Sequence, residues 1–428
     1  MQNQQSDNRI KDASYLKPSS LVFGTLVAFN LLPGLWIWAF SWKEDLYFRY
    51  SIYLYDEGVR TYLKATILFL SIFALICFLT RGKLFQSKVN APATEDSLAF
   101  EARSPMYLAI TIMGIIFTLV YFFDGGYEKL LAFGSIMDEW AFRLIGYDDR
   151  SRIVIAMLEA SRRVLLPIGV SYLFVLFRLG RIGAKTFLLG LGAACQLLGA
   201  AMTLDRAPIL LFFVMFLFIN LCIGLSYMKV LRTLLGAIAV LLPIAGLTTF
   251  LQYNISAFSG SDIVTTGQDF LLHRTILVPS IASIELSFIQ FPIGSDKLLL
   301  RFSRLTALFG GTYVGTEDAN SIYVTPVGAI ADIWRNFGYP GIVVCSAGLA
   351  LYFRKLDSLM RNVGPVDAIV HSFNALSLAF YYIFGGLFSQ GVIFQMLMGY
   401  ALLTYSNARW KTAGFSRPAD IGGRALAA

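Results

Sequence analysis

The sequence predicts an all-α polytopic membrane protein with about ten membrane-spanning helices. Three observations carry this. Hydrophobic residues make up 57% of the 428 positions, charged residues only 14%, and the mean hydropathy is +0.64. Soluble domains carry roughly 25% charge, so the apolar excess has to face lipid. The apolar residues also gather into runs of spanning length, about 20 residues each. Finally, the basic residues collect on one side of those runs.

The spans are read in order at 21–40, 61–79, 105–123, 164–178, 186–203, 208–226, 234–252, 339–353, 368–387 and 390–405. The first follows Arg9, Lys11 and Lys17 and has no small-residue cleavage site, so it reads as a retained anchor, bent at Pro33-Gly34. The fifth and sixth are separated by a short turn, TLDRAP, and the eighth can begin as early as Pro326. No internal repeat or linker divides the chain. One membrane domain, 21–405, is therefore expected between an N-terminal tail, 1–20, and a C-terminal tail, 406–428.

Alternating sides from a cytoplasmic N-terminus gives 19 basic against 8 acidic residues in the cytoplasmic pieces, and 16 against 19 elsewhere. The net charge of +8 is thus a topology signal with both termini inside, and not a nucleic-acid footprint. Two outer segments exceed simple connectors. Residues 124–163 include an amphipathic stretch, Tyr127 to Ile145, that suits the membrane interface. Residues 253–338 form the largest non-spanning region, and long loops on a rigid bundle usually carry function.

Cofactor chemistry finds little purchase. Cys77, Cys195, Cys222 and Cys345 lie in apolar runs and read as small buried hydrophobes. With only His273 and His371, a multi-histidine metal site is excluded. The sequence lacks a Gly-rich phosphate loop, HExxH, GxSxG, CxxC and Asp-x-Asp. No cofactor and no metal are expected.

Arginine is the positive signal. The outer segments hold Arg143, Arg150, Arg152, Arg162 and Arg163, then Arg206 in the TLDRAP turn, then His273-Arg274, Arg301, Arg304 and Arg335. A guanidinium group binds phosphate oxygens with a planar fork and stays charged. Beside lipid it costs a few kcal/mol, which a lipid-borne anion at the membrane surface offsets. Pairing with nearby acids or membrane-lipid headgroups is the alternative for each. Glu317-Asp318, in the polar stretch GGTYVGTEDANSIYV, is the candidate general base, with a solvated turn cap as its alternative. Glu44-Asp45 is a second acidic pair. His273 is a reserve base or phosphate donor, and its alternative is a loop histidine bonded to a carbonyl. His371 reads as a packing residue.

Two stretches then carry a family resemblance. FLLHRTILVPSIASIELSFIQFP (Phe270–Pro292) and EDANSIYVTPVGAIADIWRNFGYPGIVV (Glu317–Val344) resemble segments of the Wzy-type O-antigen polymerases, and span placement agrees from about residue 120 onward. The resemblance implies a GT-C-like bundle with two long periplasmic loops in the bacterial inner membrane. It implies a glycosyltransferase that joins undecaprenyl-diphosphate-linked oligosaccharide repeat units in lipopolysaccharide biosynthesis. His273 and Arg274 stand where the family has a basic pair, and Arg150 and Arg152 fall in its other basic loop. O-antigen ligases typically show His-Asn in the last long loop, where this chain has Ala319-Asn320.

In that reading Arg206, Arg274, Arg301, Arg304 and Arg335 bind the diphosphate leaving group. Glu317 or Asp318 takes the proton of the attacking sugar hydroxyl, and His273 stands in reserve. A polysaccharide chain-length regulator is the protein partner it admits. An O-antigen ligase or other lipid-linked sugar transferase, a flippase for lipid-linked glycans, and a non-catalytic assembly subunit are the rivals. The scarcity of mid-span charge and the lack of repeats weigh against transport.

Overall fold

The structure, a computed structural model, describes residues 14–39, 56–79, 86–88, 95–131, 151–203, 206–223, 232, 235–236, 329–385 and 390–415. Within them the chain is a bundle of long helices. Four are long and apolar enough to cross a membrane: Pro18–Ala39, Glu57–Leu79, Glu95–Gly126 and Gly183–Thr203. A shorter apolar helix covers Ile209–Cys222. Nine of the ten apolar runs carry a helix. The run at 234–252 lies outside the described residues save Leu235 and Gly236.

The helices are α1 (Pro18–Ala39), α2 (Asp56–Leu79), α3 (Glu95–Ala102), α4 (Pro105–Tyr121), α5 (Tyr127–Leu131), α6 (Arg152–Ala160), α7 (Leu166–Arg178), α8 (Thr186–Thr203), α9 (Arg206–Cys222), α10 (Ala329–Met360), α11 (Pro365–Gly385) and α12 (Gln390–Thr412). The all-helical expectation misses one small feature. β1 (Ser14–Leu16) pairs antiparallel with β2 (Gln86–Lys88), Tyr15 opposite Ser87.

Prolines shape two of the helices. A π turn at Val27–Leu31 ends two residues before Pro33, and another at Ser161–Leu165 ends two residues before Pro167. A proline lacks the amide proton and crowds the carbonyl four residues back, and the wider turn accommodates this. The predicted bend of the first span is therefore a π turn just ahead of Pro33-Gly34. The second π turn fuses α6 to α7. Residues 152–163, read from sequence as the end of an outer segment, are helical and continue directly into the fourth span. Tyr127–Leu131, the start of the amphipathic stretch, is helical too, following a turn in which Gly125 has φ 95°.

Two helices form the centre. Nearly every side chain of α7 from Leu166 to Leu176 is buried, as is most of α11, and the two pack on each other. A helix apolar all round belongs inside a bundle. The surrounding helices bury one face and present large apolar side chains on the other: Leu32, Trp36 and Trp38 on α1, Ile112, Ile116 and Val120 on α4, Val344 and Leu351 on α10. Those outward faces suit lipid.

Contacts at the bundle's ends follow the alternation of the spans. At one end Glu101, Arg181, Lys185, Asp357 and Arg409 all take partners from other segments assigned to the same side. At the other, Arg162 meets Thr203 and Arg163 lies over Tyr381. These are called the Glu101 end and the Arg162 end below.

Candidate functional site

Arg152 opens α6, Arg206 opens α9, and Arg335 lies in α10 just before Gly338. Arg150, His273, Arg274, Arg301, Arg304, Glu317 and Asp318 lie outside the described residues.

The break at Gly338 gives Arg335 a particular setting. Gly338 has φ 62° and ψ −154°, a conformation open essentially to glycine alone, so α10 is two helical pieces meeting at an angle. Gly338-Tyr339-Pro340-Gly341, within the stretch Glu317–Val344, forms this junction. Trp334 is buried before it and meets Tyr339 edge-on after it, ring centroids 4.3 Å apart. Arg335 thus rides on a short piece anchored by Ile330, Ile333 and Trp334.

The best-defined cationic site at this end is one that sequence reading placed only loosely. The π turn Ser161–Leu165 is packed on by α4, α6, α7, α8 and α12. Ser161 donates its hydroxyl to the Gly114 carbonyl at 2.6 Å and lies 2.8 Å from the Thr118 hydroxyl, fixing the turn against α4. Glu159 precedes Arg162 by three residues and Arg163 by four, so helical spacing brings both guanidinium groups to its carboxylate. Arg162 donates Nη2 to Glu159 and Nη1 to the Thr203 hydroxyl at 2.8 Å. Arg163 Nε is 2.5 Å from Glu159 Oε2, and its guanidinium lies 5.5 Å from the Tyr381 ring centre.

Burial divides the roles. The Arg162 side chain is 4% exposed, those of Arg163 and Glu159 27%. One carboxylate between two guanidinium groups leaves this triad with a charge of +1. Arg163 is the more exposed of the two guanidinium groups. Arg206 follows Thr203 by three residues, so its Cα lies within about 11 Å of that of the Arg162 acceptor. Arg152 lies roughly 15 Å up α6. Glu159 was missed in the sequence, although the E-x-x-R-R spacing was there to read.

The Glu101 end holds a second polar cluster, this one closed to solvent. Glu101, at the end of α3, accepts the backbone N–H groups of Asp367 at 3.1 Å and Val366 at 3.3 Å, capping α11. Tyr172 donates to the Glu101 carbonyl at 2.8 Å, and Arg409 donates to Phe100 while stacking on its ring. His371 Nε2 lies 3.1 Å from the Tyr107 hydroxyl. Asp357 accepts from Ser19 and Arg354 nearby. Among the described residues, no group of three His, Cys, Asp or Glu side chains forms a metal site.

The chain matches no model of a known protein family, no curated protein and no solved structure.

Proposed function

We propose that this protein is a metal-independent glycosyltransferase of the inner membrane, an O-antigen polymerase, joining undecaprenyl-diphosphate-linked repeat units at the periplasmic face. The growing chain leaves its carrier from the reducing end and is attacked by a hydroxyl of the incoming unit. The leaving group is already a diphosphate, so the demand is for fixed positive charge where its negative charge develops. One well-placed donor in a low-dielectric site is worth roughly 3–4 kcal/mol.

The observation that carries the reading is the gathering of arginines at one end of an apolar bundle. Arg163 is half-buried there, held by Glu159 and Tyr381, and Arg206 opens the helix that follows the Thr203 acceptor of Arg162. The segments Phe270–Pro292 and Glu317–Val344 supply the rest: His273, Arg274, Arg301, Arg304 and Arg335 for the diphosphate, Glu317 or Asp318 as base. Arg150 and Arg152 belong to the other basic loop. The Arg162 end is then periplasmic, with both termini cytoplasmic. Partners are the lipid-linked glycan, the surrounding lipids and a chain-length regulator.

The test is genetic. Cells carrying Arg274→Ala or Arg206→Ala are expected to display single-unit surface polysaccharide in place of long chains. Full-length polysaccharide in both strains refutes the diphosphate assignment.

A further inference from the structure

We propose that Asp367, with Glu101, Tyr107 and His371, forms a proton-binding site at the Glu101 end of the bundle. It is independent of the polymerase reading and uses residues that reading leaves idle.

Two buried carboxyl groups lie at this end. Glu101 is 2% exposed and Asp367 5%. They belong to different helices and meet at one helix N-terminus. Both Glu101 oxygens are engaged by backbone N–H groups of α11 at 3.1 and 3.3 Å. That geometry suits an ionised Glu101, since a carboxylate is acceptor-only. Asp367 sits on the same first turn, away from water, and burial pushes both carboxyl groups up, Glu101 further raised by the charge of Asp367. Two like charges so placed do not both ionise freely, and the pair holds a proton between them.

The surroundings suit that role. The groups facing the pair are Tyr107 of α4, Tyr172 of α7, His371 of α11, and Ser406, Arg409 and Trp410 of α12, while Lys185 nearby donates to the Ala102 carbonyl. Arg409 is committed to the Phe100 carbonyl and ring, and Lys185 to Ala102. Neither cation is bonded to Asp367. Trp410 Nε1–H, on a side chain 1% exposed, also donates toward Asp367, and its ring edge lies beside Gly364 and Glu101. Burial raises Asp367 to about 6, against the hydrogen bonds from Tyr107 and Ser406 and the charge of Arg409.

The site also has a direction. Tyr107 bridges from Asp367 to His371, one turn further along α11. Asn374, Ser377 and Tyr381 continue the same buried face, with Gln395 donating to Asn374 at 3.0 Å and to Ser377 at 3.1 Å. Tyr381 lies under Arg163. The proton-binding site therefore stands at the foot of a polar stripe that ends at the arginine triad, about 21 Å away.

The experiment is infrared titration of the purified full-length protein in lipid nanodiscs, following the carboxylic-acid carbonyl band with pH. Wild type is expected to show a buried acid titrating near pH 6, and Asp367→Asn to lose it. Two further variants move the midpoint in opposite directions. Glu101→Gln removes the neighbouring charge and lowers it. Tyr107→Phe removes a donor to the ionised form and raises it by about one unit. A titration that survives Asp367→Asn overturns the proposal. So do midpoints that stay put, or that shift the same way, in Glu101→Gln and Tyr107→Phe, even if Asp367→Asn does not fold.

Discussion

Asp357 joins Ser19 across 338 residues of sequence: its Oδ2 accepts the serine hydroxyl at 2.5 Å and its Oδ1 the serine N–H at 3.2 Å. Ser19 is in the first turn of α1, so a carboxylate from the end of α10 caps the N-terminus of the first membrane helix. Glu101 does the same for α11. Both capped helices begin with proline, Pro18 and Pro365, whose missing N–H reduces the donors to be satisfied. Sequence-distant carboxylates thus pin two helices at the Glu101 end.

Asp357→Ala is expected to destabilise the folded protein by about 3 kcal/mol, leaving two buried donors and Arg354 without their acceptor. Asp357→Asn retains an acceptor and loses less. Thermal unfolding in detergent checks both. An unchanged midpoint for Asp357→Ala contradicts the cap.

Arg162 and Arg163 are neighbours with different predicted consequences. Arg162→Gln strips a buried partner from Glu159 and Thr203 and is expected to cost about 3 kcal/mol of stability. Arg163→Gln alters a half-exposed group and is expected to change stability by less than about 1 kcal/mol. It should still lower polymer length in cells. Thermal unfolding paired with a gel of surface polysaccharide separates the two, and equal effects of both variants on stability contradict the division of roles.

Gly338→Ala places a Cβ on a backbone conformation that only glycine adopts comfortably. The expected cost is about 1–3 kcal/mol. The angle between the two pieces of α10 also changes, moving Arg335 relative to the span. Reduced polymer length at a temperature where the variant stays folded is the outcome to look for. Wild-type stability and length contradict the hinge.

Much of this was legible from composition and spacing. Apolar runs located nine helices because lipid imposes length and hydrophobicity on each one separately. Alternation of the spans grouped these helix ends as their contacts do, Glu101 with Asp367 and Arg162 with Thr203. Hydropathy did not reveal that α6 runs on into α7, because Glu159, Arg162 and Arg163 interrupt the apolar pattern. Their mutual pairing lets a helix carry them. The caps at Ser19 and Asp367 were invisible for another reason: each depends on a partner hundreds of residues away, which no local pattern encodes.

Reconstitution tests the central claim most directly. Purified protein in nanodiscs, supplied with undecaprenyl-diphosphate-linked repeat units and a metal chelator, is expected to produce chains of several units. Arg274→Ala and Arg206→Ala should each slow coupling by about 100-fold or more. Wild-type protein that leaves the units uncoupled, or variants that couple them at the wild-type rate, would contradict the account.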